Sequence, residues 1–230
     1  MTSRPPLSDL DRVLASIDHG LRTVFAKPAS SRPVPRPAQA MQADAGPCTL
    51  PSVAAEPERL TDAQTQLSGA LMRINHVGEI CAQALYQSQS LVTRSPALRE
   101  HFAKAAQEEL DHLAWTHQRV TELGTHTSYL TPLWYAGAFS VGCIAGLASD
   151  KISLGFVVET ERQVEQHLAT HLDRLPADDL SSKAIVTQMK LEEARHAEEA
   201  LAAGAQAIPA PVKLLMRLAA KVMTRTAHYV

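Results

Sequence analysis

The fold of this chain is decided by two segments that repeat each other, EELDHLAW at residues 108–115 and LEEARHAEEAL at residues 191–201. Each segment contains the pattern Glu-x-x-His, which occurs nowhere else in the 230 residues. On an α-helix this spacing places the two side chains about 60° apart on one face, so that a carboxylate and an imidazole can bind the same metal ion. The two segments therefore predict two helices that each carry a pair of metal ligands.

A further glutamate precedes each pair at nearly the same distance. Glu79 lies 30 residues before Glu109, and Glu161 lies 32 residues before Glu193. A chain that climbs one helix and descends the next returns to the same height after equal numbers of residues, at about 1.5 Å per residue, so each lone glutamate is expected to face its pair. The predicted metal ligands are Glu79, Glu109, His112, Glu161, Glu193 and His196.

The neighbours of these glutamates predict that they point inward. Glu109, Glu161 and Glu193 share their helix faces mainly with apolar residues, whereas Glu159, the rival to Glu161, shares its face with glutamines and is expected to face solvent. A buried carboxylate is costly unless it is paired or bound to a metal ion. Four carboxylates and two imidazoles balance two divalent cations, and this mixture of oxygen and nitrogen ligands favours iron or manganese over tetrahedral zinc.

The order of helices predicts an all-α, ferritin-like four-helix bundle. Turn and capping residues divide the chain into helices at 62–94, 96–123, 150–175 and 179–203. The short connections within each pair predict antiparallel hairpins, and the long connection between the pairs must cross over.

Two segments outside these four helices suggest contact with a membrane. Residues 127–149 carry no charge and are long enough to span a bilayer, but their glycine, serine and alanine content favours a buried or interfacial crossover helix. After residue 211 a basic amphipathic helix is predicted, which can lie on anionic lipid or, equally, turn a charged face to solvent. Its basic residues are Lys213, Arg217, Lys221 and Arg225. Together the two segments predict a peripheral membrane protein.

The chain is expected to divide into an N-terminal section, residues 1–60, and a main domain, residues 61–230. In the N-terminal section a capping box at Ser8 and Asp11 starts a predicted amphipathic helix at about residues 9–26, and a proline-rich linker follows. We expect this section to regulate or anchor the protein, or to be dispensable.

Composition excludes several classes of function. Lys and Arg number 22 against 24 Asp and Glu, so the formal charge of −2 gives no basic field for nucleic acid. The three cysteines form no CxxC pattern, which argues against a disulfide framework and favours a reducing compartment. The acidic N-terminus does not fit a secretory leader, so an intracellular protein is expected.

Several motifs resemble the demethoxyubiquinone hydroxylase family, the di-iron monooxygenases of ubiquinone biosynthesis. The resemblance covers about residues 60–230. It rests on LMRINHVGEICAQALYQSQ around Glu79, EELDHLAW, TSYLTPLW, GFVVETERQVEQHL around Glu161, and LEEARHAEEAL. It implies a ferritin-like fold in which the six predicted ligands bind two iron ions and Glu109 and Glu193 bridge them. His167 is similar to a family position near the irons and is assigned a hydrogen-bonding role; an interior histidine bonded to backbone is the alternative.

The same resemblance implies an activity. The family uses O2 at a reduced di-iron centre to hydroxylate the ring of a polyprenylated demethoxyubiquinol, and its members sit on the membrane that holds this lipid. The expected location is the cytoplasmic face of a bacterial cell membrane, or the mitochondrial inner membrane in a eukaryote, with other ubiquinone-biosynthesis proteins as candidate partners. Two other functions fit the bundle: a ferroxidase or iron-storage protein, and a non-catalytic, membrane-associated scaffold.

Overall fold

The computed structural model describes residues 8–37 and 60–230, which contain seven helices and no strand. The helices are α1 (Asp9–Phe25), α2 (Asp62–Val92), α3 (Pro96–Glu122), α4 (Thr131–Ala148), α5 (Asp150–Arg174), α6 (Leu180–Ala202) and α7 (Ala210–Ala227). The predicted all-α class is confirmed, and the four bundle helices begin and end within two residues of the predicted positions.

The bundle helices begin and end at the residues whose side chains or backbone favour it. Thr61 and Ser95 accept hydrogen bonds from the first-turn amides of α2 and α3. Gly124 and Gly204 follow α3 and α6 with φ angles of 65° and 99°, a left-handed conformation that glycine adopts without steric cost. Both glycines therefore act as the predicted helix stops.

Two apolar layers close the bundle above and below its middle. One contains Leu71, Met72, Trp115, Leu168, Ile185 and Met189. The other contains Tyr86, Phe102, Leu154, Val157, Val158 and Ala200. On every bundle helix the predicted ligands lie between these two layers, so the polar middle of the bundle is covered by apolar side chains at both ends.

Helix α4 crosses from the first hairpin to the second and packs along α2 and against α5. Gly142 is needed for this packing, because an added Cβ would lie 2.0 Å from Ser88 Oγ and 3.1 Å from the carbonyl oxygen of Leu85. The remaining faces of α4 expose apolar side chains, including Ile144 and Leu147. Among the described residues α4 is the single helix whose length and composition would suit a membrane span.

Helix α7 lies beside the bundle and presents both charged and apolar residues to the outside. Lys213 forms an ion pair of 2.7 Å with Glu159 of α5, and the neighbouring Leu215 and Val222 are exposed. With Lys213 of α7 paired to it, Glu159 is only 7% exposed. The expectation that Glu159 faces solvent was wrong, because a helix distant in sequence covers it.

The N-terminal section is described over residues 8–37 only, and much of the predicted proline-rich linker lies outside the described residues. Helix α1 has the predicted capping box and packs on α2 and α4. After α1 the chain runs along α3, where Val34 packs against an apolar core cluster. Residues 27–37, called here the arm, therefore reach the side of the bundle opposite α4.

Candidate metal centre

The structure brings all six predicted ligands together in the middle of the bundle. They form two overlapping groups, and within each group one donor atom per residue lies within 4.8 Å of the others. The first group is Glu79, Glu109, His112 and Glu193; the second is Glu109, Glu161, Glu193 and His196. Glu109 and Glu193 belong to both groups, which is the arrangement expected of two carboxylates shared by two metal ions.

Four helices contribute these side chains from interior turns. Helices α2 and α5 each supply one glutamate, and α3 and α6 each supply a glutamate and a histidine one turn apart. Every one of the six side chains is at most 3% exposed. Since the interior of a helix leaves no free backbone amides to stabilise a carboxylate, the charges must be balanced by one another or by bound cations.

Both imidazoles turn Nδ1 toward the shared carboxylates. His112 Nδ1 lies 3.3 Å from Glu109 Oε2 and 3.3 Å from Glu193 Oε1. His196 Nδ1 lies 2.9 Å from Glu109 Oε1 and 3.6 Å from Glu193 Oε2. The second nitrogen of each ring points away from the centre, which leaves Nδ1 as the donor atom for a metal ion.

Several buried donor atoms in this cluster have no hydrogen-bond partner among the described residues. They are Glu79 Oε2, Glu109 Oε1, Glu193 Oε2 and His196 Nδ1. Although His196 Nδ1 and Glu109 Oε1 lie 2.9 Å apart, they do not form a hydrogen bond. Buried polar atoms without partners are rare in proteins because each costs free energy, and divalent cations would satisfy all four. The residues present therefore fit a pair of metal ions.

The pKa shifts of the clustered residues also agree with a site for a pair of metal ions. Burial, together with the neighbouring carboxylate of Glu109, raises the pKa of Glu79, and burial with Glu193 raises the pKa of Glu161. Burial opposes the charged form of His196 too, but the close approach of Nδ1 to Glu109 and Glu193 and the charges of Glu109 and Glu161 outweigh it and raise the pKa of His196 to about 12. In the absence of metal the cluster must hold protons that a cation would displace.

An outer layer of carboxylates holds the two histidines. His112 Nε2 donates to Glu192 Oε2 at 2.7 Å, and His196 Nε2 donates to Glu108 Oε2 at 2.9 Å. A carboxylate that accepts from one ring nitrogen fixes the tautomer and the orientation of the ring, as is common at metal-bound histidines. A groove of about 450 Å³ lies outside this layer, between α3, α6 and the arm, and is lined by Glu108 and Glu192.

Other residues of the site were missed by the sequence reasoning. Tyr86 is buried and donates its hydroxyl hydrogen to Glu161 Oε1 at 2.6 Å. Helical spacing places Tyr86 two turns after Glu79 on the same face, but no role is predicted for this residue from the sequence. Glu108 and Glu192 were also visible as the first residue of each Glu-Glu pair, whereas nothing in the local pattern pointed to a contribution from the arm.

His167 follows Glu161 by six residues on α5. Its ring packs against that of His171, with the centroids 3.9 Å apart, and its Nε2 has no hydrogen-bond partner among the described residues. The hydrogen-bonding role assigned to His167 stays a prediction.

A four-helix bundle with two Glu-x-x-His pairs and two further glutamates defines the class of ferritin-like proteins with a dinuclear carboxylate centre. The sequence comparison is more specific. The chain belongs to the family described as "Ubiquinone biosynthesis protein COQ7", which matches residues 66–227.

Similar curated proteins carry one name, 3-demethoxyubiquinol 3-hydroxylase. The protein from Polaromonas naphthalenivorans is 57% identical over 219 residues, which are 95% of this chain and 97% of the relative. Those from Polaromonas sp. strain JS666 and Variovorax paradoxus are 56% and 54% identical, and each match covers 96% of this chain and 98% of the relative. These alignments extend through most of the N-terminal section, beyond the 60–230 range of the recognised motifs.

Proposed function

We propose that this chain is a di-iron monooxygenase that uses O2 to hydroxylate the ring of a polyprenylated demethoxyubiquinol in ubiquinone biosynthesis. The observation that carries the proposal is the pair of overlapping four-donor groups with two shared carboxylates. The relatives' name supports the choice of substrate.

Six side chains would hold the two ions. Glu79 and His112 would hold one ion, Glu161 and His196 would hold the other, and Glu109 and Glu193, which belong to both groups, would be shared. Bound and reduced iron supplies the electrons and the open coordination positions that O2 chemistry requires. We propose iron rather than zinc for two reasons. The carboxylate-rich set of ligands suits a redox-active ion, and it offers more ligands than tetrahedral zinc sites use.

The protein's own contribution is position and exclusion of water. The hydroxyl of Tyr86 holds a proton against Glu161 Oε1 and so fixes the orientation of that carboxylate. The outer carboxylates Glu108 and Glu192 hold the two imidazoles. The apolar layers on both sides of the centre exclude water from the site.

The location proposed for the protein is the cytoplasmic face of the cell membrane in a bacterium, or the inner membrane of mitochondria in a eukaryote. Exposed apolar side chains on α4 and exposed apolar and basic side chains on α7 support this proposal. Such a surface can rest on anionic lipid while the polyprenyl tail of the substrate stays in the bilayer. We assign residues 61–230 to the hydroxylase domain and residues 1–60 to an N-terminal section that regulates or anchors it or is dispensable for catalysis.

The deciding experiment is the conversion of a short-tailed demethoxyubiquinol by purified, iron-loaded protein. Mass spectrometry should find one oxygen atom added to the ring and derived from ¹⁸O-labelled O2. Glu193→Ala should abolish the product, whereas Glu198→Ala, at an exposed position of the same helix, should not. Iron uptake and oxidation without ring hydroxylation would favour the ferroxidase instead, and full activity of Glu193→Ala would favour the non-catalytic scaffold.

A vesicle assay tests the location. Replacing Arg217, Lys221 and Arg225 together with glutamine should weaken co-sedimentation with anionic vesicles about 100-fold, since each basic residue near such a surface contributes about 1 kcal/mol. Lys183→Gln on α6 serves as the control. Unchanged binding of the triple variant would remove α7 from the proposed contact.

A further inference from the structure

Each histidine of the centre is held by an outer glutamate from the facing helix, Glu192 for His112 and Glu108 for His196, but the cations that pair with these two glutamates come from different places. Aligning EELDH (108–112) with EEARH (192–196) places Asp111 opposite Arg195. Arg195 donates to Glu108, the carboxylate that holds His196, so α6 neutralises this carboxylate with its own residue. On α3 the equivalent position carries an acid, so the first half of the site adds a negative charge where the second half adds a positive one.

Arg32 of the arm supplies the cation that α3 lacks. Its Nη1 and Nη2 donate to the two oxygens of Glu192 at 2.6 and 2.9 Å, and its Nε donates to Asp111 Oδ2 at 2.5 Å. The guanidinium therefore binds two nearly buried carboxylates at once, one of them in the two-point geometry that arginine forms with carboxylates. Glu192 in turn accepts from His112 Nε2 at 2.7 Å.

The arm is built to hold Arg32 in this place. The amide of Ser31 donates to Asp111 Oδ1 at 2.6 Å, and Ser30 Oγ donates to the same oxygen at 3.0 Å. Trp115 Nε1 donates to Ser30 Oγ at 3.0 Å, and the guanidinium of Arg32 lies 4.8 Å from the centroid of the Trp115 ring. Asp111 thus accepts hydrogen bonds from three successive residues of the arm, Ser30, Ser31 and Arg32. These bonds fix the position of the arm on α3.

We propose that Arg32 is a positioning residue for one half of the metal centre: through Glu192 it holds His112 with Nδ1 toward the metal, as Arg195 does through Glu108 for His196. The proposal rests on the proposed di-metal function. Because Glu192 can only accept, Nε2 of His112 supplies the hydrogen of their contact, so Nδ1, which faces the shared carboxylates, is the nitrogen open to a metal ion; Arg32 keeps Glu192 aimed at the ring.

Arg32 is therefore expected to act on the ligands of one ion only. The ligands of each ion are called here a half-site. Loss of Arg32 should weaken the ion bound by Glu79 and His112 and leave the ion bound by Glu161 and His196 unaffected. A purely structural role of the arm would lower stability and affect both ions alike. The two backgrounds Glu161→Ala and Glu79→Ala separate these outcomes, because each retains one half-site.

The experiment titrates Co²⁺ into the purified full-length chain and follows its visible absorption. In the Glu161→Ala background Arg32→Gln should raise the dissociation constant about 10- to 100-fold, the range typical for outer partners of metal-bound histidines. In the Glu79→Ala background it should change the constant less than about threefold. Arg36→Gln, which removes an exposed ion pair of the same arm with Glu122, is the matched control and should have no effect in either background.

A second variant guards against a loss of folding. Asp111→Arg combined with Arg32→Gln gives α3 the arginine that α6 has at the equivalent position, and it should restore most of the lost Co²⁺ affinity. Equal weakening of both half-sites by Arg32→Gln, no weakening of either, or no recovery in the double variant would overturn the proposal. If the unmodified chain bound no metal, the proposed function would fail as well; two bound ions with no effect of Arg32 would refute the positioning role alone.

Discussion

The two hairpins offer the same three ligands to the centre, but they support them with different residues. Glu161 of the second hairpin accepts the hydroxyl hydrogen of Tyr86, whereas Glu79 Oε2 of the first has no hydrogen-bond partner among the described residues. The cation behind His196 comes from its own helix, and the cation behind His112 comes from the arm. The repeated inner donors are what two equal ions would require, while the outer residues depend on what each hairpin packs against.

The largest effect should come from the carboxylates that both halves share. Glu109→Ala should reduce iron from two ions per chain to fewer than about 0.5, because each ion loses a ligand and the bridge between them is gone. The metal-free variant should remain folded, since removing one of four clustered acids relieves repulsion. Elemental analysis measures the iron content. The melting temperature with and without added Fe²⁺ shows whether the variant is folded and whether it binds the ion. Retention of two ions by Glu109→Ala would disprove the sharing.

Loss of a carboxylate that belongs to one half should remove one ion. Glu79→Ala and Glu161→Ala should each retain about one iron per chain, and each should lose hydroxylation, which needs the pair. Anaerobic metal analysis of both variants against Glu198→Ala provides the measurement. Should either variant lose both ions completely, the two halves would not be independent sites.

A smaller effect is expected from the residue that supports the second half alone. Tyr86→Phe removes a buried hydrogen bond to Glu161 without removing the ring from its apolar layer, and should weaken one of the two ions about 10-fold or more. Stepwise Co²⁺ titration distinguishes the ions. Equal weakening in the Glu79→Ala and Glu161→Ala backgrounds would show that Tyr86 acts through general packing instead.

The smallest effect concerns a histidine of the second hairpin that lies outside the centre. His171 is fully buried, and neither ring nitrogen has a hydrogen-bond partner among the described residues; burial, with a contribution from His167, lowers the pKa of His171 to about 2. Unfolding therefore takes up a proton below about pH 6.5, and stability should fall by up to roughly 1.4 kcal/mol per pH unit between pH 6.5 and pH 5.

The variant His171→Leu should lose this part of the pH dependence and should be at least as stable as the parent at pH 7.5. Urea unfolding at several pH values gives the slope, with His126→Gln at an exposed position as the control. An unchanged slope in His171→Leu would mean that the ring takes up its proton while the chain is folded.

The sequence was sufficient for those parts of the site that depend on local repetition. Helical spacing within α3 and α6 and equal distances along two hairpins led to Glu79, Glu109, His112, Glu161, Glu193 and His196, which the structure brings together. The same reasoning misplaced Glu159, because its surroundings are supplied by α7. It also missed Arg32, whose partners lie 79 and 160 residues away and are chosen by packing that no local pattern records.

The glycine contact between α4 and α2 would limit how deeply the protein enters a bilayer under the proposed membrane location. Gly142 and Gly146 bring α4 against α2, which carries Glu79, so α4 cannot leave the bundle without disturbing the centre. Although α4 is long enough to span, a helix that keeps this packing would immerse only its exposed side in a single leaflet. Binding to vesicles should consequently be insensitive to acyl-chain length between 14 and 22 carbons, roughly the range over which a spanning helix would be forced to tilt or mismatch.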